Sequence, residues 1–370
     1  MSDFHGIIYA YGATVELGEL VRRRTAASMP FCGRYRLIDF ALSSMMNAGI
    51  HNVGVIMQRD YQSLLDHIGS GKDWDMGRKI GGLRMLPPFG LPEYHKGDYT
   101  GTIEALNAVS TYIDDIKEDN IIMMHGNTAA NLDLADICRS HIESGAEITA
   151  ICTRLDPDYR HHRYDPDENG FADGIIYNQT GSGKGFASLE AYVISKSLLT
   201  RLMADCAANN SYHFHRDALA SYLGQGGRIH VYVHESYARR IMSTDAYFRA
   251  NMDMLDPEKR NALFPEDRPV RSKSSVDVST YYGENAKVSR SLVADGCRIE
   301  GELKNCIVFS DVRIKKGAKL RDCIVMRGAE IGENVILGNV IADKNVRLSA
   351  DQTLMGSERL PIVIPKNSSI

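Results

Sequence analysis

Three segments near the C-terminus lie on one another without a gap. The strings "NCIVFSDVRIKKGAKL" (305–320), "DCIVMRGAEIGENVIL" (322–337) and "NVIADKNVRL" (339–348) align at an offset of 17, and "RSLVADGCRI" (290–299) aligns 15 residues before them. Within each segment the apolar positions step by six: Val308, Ile314 and Leu320, then Val325, Ile331 and Leu337. A six-residue period with three corners to a coil describes a parallel β-helix, in which inward side chains stack coil upon coil. This repeat confines the last ninety or so residues to one architecture. Cys306 and Cys323 fall on equivalent stacked positions, which suits packing better than a disulfide or a metal.

The first 255 residues follow a different rule. Short apolar runs alternate with longer amphipathic ones. "GIIYAY", "VGVIM", "NIIMMHG", "EITAIC", "LEAYVI" and "RIHVYV" read as strands, while "YRLIDFALSSMMNAGI", "YQSLLDHIG", "GTIEALNAVSTYI", "LADICRSHIESG" and residues 196–207, 213–223 and 244–255 read as helices. Strands alternating with helices predict a parallel sheet covered on both faces, with ligands binding beyond the carboxyl ends of the strands. The span 256–280 has three prolines and no sustained periodicity, so it is read as the linker between residues 1–255 and a β-helix domain at 281–370.

The chain of 370 residues carries 43 Lys plus Arg against 47 Asp plus Glu, a net charge of −4, which gives no bulk electrostatic case for a nucleic-acid or membrane partner. No run of about 18 apolar residues occurs and the N-terminus has no basic-then-apolar leader pattern, so the expectation is a cytoplasmic protein. Seven cysteines, odd in number and never spaced CxxC, read as buried free thiols.

Longer strings carry a resemblance. "PFCGRYRLIDFALSSMMNAGI" (30–50), "HIGSGKDWDMGRKIGGLRMLPP" (67–88), "GTIEAL" (101–106), "STDAYFRANMDML" (243–255) and "SLVADGCRIEGELKNCIVFSDVRIKKGA" (291–318) together resemble glucose-1-phosphate adenylyltransferase, the ADP-glucose pyrophosphorylase of bacterial glycogen synthesis. The resemblance covers nearly the whole chain. It implies a Rossmann-like nucleotidyltransferase domain followed by a left-handed parallel β-helix of hexapeptide repeats. The implied reaction joins ATP to glucose 1-phosphate, giving ADP-glucose and pyrophosphate.

Three requirements of that reaction fall on altered residues. The family's triphosphate loop, Gly-Gly-x-Gly-Thr-Arg-Leu, becomes Tyr11, Gly12, Ala13, Thr14, Val15, Glu16 and Leu17. Side chains at Tyr11 and Thr14 would obstruct the approach of backbone N–H groups to phosphate, and the carboxylate of Glu16 repels what the arginine attracted. The family's two magnesium carboxylates correspond to Asn127, in "HGN", and Arg240, in "YARRIMSTD". One has become neutral and the other positive, where magnesium needs oxygen ligands. The Glu-Lys-Pro sugar phosphate segment is missing between Ile176 and Ser188, where Lys184 is the sole basic residue.

Catalytic residues, a metal site and a cofactor are therefore not expected at these positions. The pattern resembles the GlgD-type partner subunits of the family, which pair with a catalytic GlgC-type subunit, and it implies a modulatory role in a hetero-oligomer, a tetramer by analogy. Gln58, Gly101 and Thr102 match positions that contact the adenine nucleotide, so with Gly12, the glycine that survives in the triphosphate loop, they are candidates for a vestigial nucleotide pocket; Gln58 also suits a strand end, and Gly101 with Thr102 a helix cap. Arg34 and Arg36 match positions that bind a sugar phosphate effector, and remain equally well read as solvated or salt-bridged arginines. Opposite charges at Glu16 and Arg240 predict an ion pair within roughly 4 Å. Two rival readings stand beside this one. A slow but active adenylyltransferase would need replacement metal ligands; a hexapeptide acyltransferase would need a histidine in the coils, and no histidine follows His234.

Overall fold

The computed structural model describes residues 3–11, 15–79, 81–87, 99–154, 161–179, 183–274 and 278–370. Ten strands of the first domain form one sheet: β1 Phe4–Tyr9, β2 Val53–Ile56, β3 Leu83–Leu86, β4 Asn120–His125, β5 Ile148–Thr153, β6 His161–Tyr164, β7 Phe171–Ala172, β8 Ile176–Gln179, β9 Phe186–Ser195 and β10 Ile229–His234. Their order is β7-β10-β5-β9-β4-β1-β2-β3, with β6 joined to β9 and β8 to β6. β1 pairs in parallel with both β2 and β4, and Tyr9 lies beside His125. The expected helices are present, with "GTIEALNAVSTYI" broken at Val109 into Thr102–Ala108 and Ser110–Asp115.

The sheet is mixed rather than parallel throughout. β9 runs antiparallel to β4, β5 and β6. It enters the sheet from the hairpin of β6 and β8 rather than from a helical crossover, and a hairpin reverses chain direction where a crossover preserves it. Separate apolar clusters pack around the sheet, one holding Ile8, Leu42, Val55 and Met124 and another Ile7, Tyr192, Leu199 and Phe214. The stretch read as linker opens with a helix, Pro257–Leu263, whose N-cap Asp256 accepts a hydrogen bond from the Glu258 amide; proline at its first turn is compatible with a helix start.

From Tyr281 onward three five-stranded parallel sheets form the faces of a β-helix. Leu292 sits beside Ile307 at an offset of 15, and Ile307 beside Ile324 and Ile324 beside Ile341 at 17. The interior is apolar, with Ile299, Val308, Ile314, Leu320, Val325, Ile331 and Leu337 all buried. The corners are as regular as the faces. Asn305, Asp322 and Asn339 form one line of left-handed backbone, and Asp311, Gly328 and Asn345 another. Asparagine, aspartate and glycine tolerate that conformation, which a β-branched residue resists. Asn305 Nδ2 donates to Asp322 Oδ1 at 3.0 Å, and Asn334 Nδ2 to Asp351 Oδ1 at 3.1 Å, so the corners are laced as well as bent. At Gly317 a Cβ would lie 2.1 Å from Asn334 Oδ1, so only glycine fits that corner. The last coil departs from the period: Val340 pairs with Ile362, 22 residues on.

The two domains share a core. Phe31, Phe40 and Tyr247 of the first pack with Ile307, Ile324, Met326 and Ile341 of the second. A buried ion pair between Arg24 and Asp343 crosses the same junction. All seven cysteines are free; six are buried and Cys32 is half-buried. Among the described residues no helix is long and apolar enough to cross a membrane.

Candidate functional site

The two positions expected to have lost magnesium ligands come together in space. Strand Thr128–Ala130 pairs antiparallel with Ala238–Arg240, which sets Arg240 beside Thr128. Asn127, one residue earlier, donates its Nδ2 to the Ile241 carbonyl at 2.9 Å, and its backbone carbonyl accepts from the Ile241 amide at 3.0 Å. The amide is thus used to tie two strands. Its Oδ1 is buried without a hydrogen-bond partner.

Arg240 is also buried, and its charge is met by Glu190 rather than by Glu16. Nη1 lies 2.7 Å from Glu190 Oε1, with the two side chains 6% and 17% exposed. Glu16 is exposed in the short 3-10 turn Val15–Val21, where its backbone carbonyl accepts from Thr244 Oγ1 at 3.1 Å. The expected Glu16–Arg240 pair is therefore corrected. Leu17 and Leu20 anchor this turn in the core beside Tyr247, and Glu16, just before Leu17, is left facing water.

Glu190 is the residue that sequence reading missed. It lies in β9 where the register against β5 slips between Ser188 and Ala191, and its φ is +50°. A bulge re-aims a side chain. Here it places the carboxylate at the centre of a basic cluster. Oε2 lies 3.4 Å from His125 Nε2, at the end of β4. His162 of β6 and His215 of the π-helical turn Phe214–Leu219 complete the surroundings, their rings 4.5 Å apart. Burial alone would raise the Glu190 carboxyl, but the Arg240 guanidinium, followed by His215, His125 and His162, outweighs it and holds the group well below the usual carboxylate range. Burial presses the His125 imidazole down to about 4 and that of His215 to about 3, so both rings are neutral at pH 7. A charged residue within the apolar run "SLEAYVI" was the available signal. The histidines lie too far apart in sequence to give one.

The nucleotide-side candidates divide. Gly12 and its neighbours Ala13 and Thr14 lie outside the described residues. Tyr11 packs edge-on against Tyr9 and Tyr99, with centroids 5.7 and 5.4 Å away. Gln58 is buried just past the end of β2. Gly101 is the N-cap of helix Thr102–Ala108, and a Cβ there would meet the Tyr212 carbonyl at 2.2 Å. Close packing therefore accounts for that glycine. Lys184 is exposed.

Arg34 and Arg36 lie elsewhere. They line a cleft of about 730 Å³ between the α/β domain and the β-helix, together with Arg260, Lys273, Arg327 and Lys344. Arg36 Nη1 donates to the Ser63 carbonyl at 2.6 Å and to its Oγ at 2.9 Å, which fixes the guanidinium. Burial, with Arg36 and Arg24 nearby, brings the Lys344 ammonium down to about 7. The cleft is therefore crowded with positive charge.

Residues 5–164 match the nucleotidyl transferase family model, and residues 275–359 match the GlmU-like C-terminal hexapeptide model. The chain is 31% identical over 350 residues to the glycogen biosynthesis protein GlgD of Bacillus subtilis, covering 95% of this chain and 92% of that one. It is 28% identical over 357 residues to the glucose-1-phosphate adenylyltransferases of Bacillus thuringiensis and Bacillus anthracis, covering 95% of this chain and 94% of each. The chain belongs to the glucose-1-phosphate adenylyltransferase family, of which GlgD is a member. Within this chain Arg240 is joined to the Glu190 carboxylate, and Asn127 is tied to the neighbouring Ile241.

Proposed function

We propose that this chain is a modulatory subunit of a glucose-1-phosphate adenylyltransferase in glycogen biosynthesis, with its own active site silent. The carrying observation is the buried Arg240–Glu190 pair. Magnesium in a nucleotidyl-transfer site needs oxygen ligands that also neutralise charge on the departing pyrophosphate. A guanidinium at one ligand position repels the ion, and its carboxylate partner is neutralised by that same guanidinium. Asn127 at the other position has its amide nitrogen committed to the Ile241 carbonyl and offers only a neutral oxygen.

The partner in this reading is a catalytic GlgC-type subunit in a hetero-oligomer. A preference of about 1.4 kcal/mol for that subunit's active conformation would shift its equilibrium tenfold. The cationic cleft holding Arg34 and Arg36 suits a phosphorylated effector, a sugar phosphate or a nucleotide, because guanidinium forks match phosphate oxygens.

ADP-glucose synthesis measured for this protein alone, for the catalytic subunit alone and for the mixture tests the reading. The expected result is no synthesis alone, co-elution of the two chains, and raised turnover or altered effector response in the mixture. Synthesis by the isolated protein at about 1 s⁻¹ or faster, a rate typical of working enzymes, would overturn the silent site. A mixture with neither co-elution nor kinetic change would overturn the modulatory role. Calorimetric titration with ATP should show no dependence on magnesium; micromolar binding abolished by a chelator would contradict it.

A further inference from the structure

We propose that His162, Glu190 and His215 form a binding site for a divalent transition-metal ion of the zinc class. One ligating atom from each of the three lies within 4.8 Å of the other two. They arrive from three separate elements, β6, the bulge of β9 and the π-helical turn 214–219. Two imidazoles and one carboxylate are a donor set that zinc accepts, at about 2.0–2.2 Å from each atom. Ligands of a tetrahedral ion are then about 3.3 Å apart, so binding draws the cluster together by an ångström or so. Magnesium, which requires oxygen ligands and octahedral geometry, does not suit the same three groups.

Two further observations point to a ligand. Nδ1 of His162 is buried with no hydrogen-bond partner, an arrangement that costs free energy unless something occupies that lone pair or proton. Glu190 is held at φ +50°, where a residue with a Cβ is strained, and such strain collects where a side chain must be aimed.

Outer contacts hold the donors in place, as they do around bound metals. Arg240 occupies Glu190 Oε1 at 2.7 Å, and Oε2, the oxygen that would coordinate, has the His125 ring 3.4 Å away. Tyr192 Oη lies 2.6 Å from His215 Nε2 and is itself within 3.1 Å of Ser188 Oγ and 3.0 Å of Tyr164 Oη. The chain of hydroxyls fixes the ring. Among the described residues Arg240, on Oε1, is the guanidinium in contact with the carboxylate. The guanidinium repels a metal, but it also orients the oxygen that the metal would take. This inference goes beyond the modulatory role and does not depend on it, since a silent subunit and a slow enzyme could each hold such an ion.

The full chain, freed of metal with a chelator, is titrated calorimetrically with zinc chloride. A single site with Kd at or below about 1 μM is expected, and it should be unaffected by excess magnesium. His162→Ala removes a donor that makes no hydrogen bond through Nδ1, so the fold should survive. Glu190→Gln keeps an oxygen for Arg240 while removing the charge. Each should weaken zinc at least tenfold, and His162→Ala should abolish the intense visible absorption of the cobalt-loaded protein. Zinc binding weaker than about 1 μM would overturn the site. So would tight binding that both variants leave unchanged, since it would then belong to thiols or other histidines.

Discussion

The charged cluster around Glu190 in the α/β domain and the interior of the β-helix solve opposite problems. Inside the coils, Cys306 and Cys323, Val308 and Val325, and Ile314 and Ile331 repeat one another, and each residue is stabilised by neighbours of the same kind one coil away. Around a single carboxylate, Glu190, stand one arginine, Arg240, and three histidines, His125, His162 and His215, each from a different element. The first region distributes its stability over many equivalent contacts, which is the nearest-neighbour behaviour of repeat architectures. The second concentrates it in a few charges that cannot be removed one at a time.

The largest expected effect breaks that concentration. Arg240→Ala leaves the Glu190 carboxylate buried and unpaired, and should destabilise the protein by about 3–5 kcal/mol in chemical denaturation. A loss under about 1 kcal/mol would mean that the cluster is as forgiving as the coils. Next comes Ile314→Ala in the coils, which deletes buried methyl groups and should cost about 2–5 kcal/mol. Its distinguishing readout is locality: hydrogen exchange should quicken in the adjacent coils and leave the cluster unchanged. Spread of the effect to β9 would blur the contrast.

A smaller effect separates the regions by acidity. His125 and His215 have folded values of about 4 and about 3, below the unfolded histidine value near 6.5. A depressed histidine disfavours the protonated folded state, so stability falls as pH drops from about 6.5 toward 4. Glu190 acts in the same direction, since its depressed carboxyl loses its contribution below the ordinary carboxylate range. Exchange protection in β4 and β9 should therefore fade on acidification before that of the coils, where no histidine lies. Loss of protection in the coils first would reverse the ranking. The cleft between the domains should behave oppositely toward ligands: as Lys344 loses its proton above about 7, binding of a sugar phosphate should weaken, and Lys344→Met should flatten that dependence. The smallest effect is Glu16→Ala, on an exposed side chain, expected within about 0.5 kcal/mol of wild type.

The same contrast explains what the sequence reveals. The offsets of 15 and 17 are local and periodic, so they can be read from the letters alone, and the Asn, Asp and Gly corners at 305, 322 and 339 and at 311, 328 and 345 carry the same period for anyone who reads turn residues as well as apolar ones. The alternation of helices and strands is local too. The reversed direction of β9 is not, because it depends on a hairpin buried among turn formers at 161–179. Asn127 and Arg240 could be located by resemblance, and Asn127 does lie one residue ahead of the strand that pairs with that of Arg240. What Arg240 touches could not be read, since its partner lies 50 residues away on a bulge and competes with Glu16 only in three dimensions.

The change of period at the end of the coils, where Val340 meets a residue 22 positions on instead of 17, has a consequence for assembly. A stack of parallel coils terminates in open backbone, and an open edge invites another molecule to continue the ladder into a fibre. Here the closing turn carries five extra residues, with Ser357 and Leu360 bridged to each other as a small exposed excursion. A second molecule offering its regular first coils would meet an irregular template and lose register at the first step.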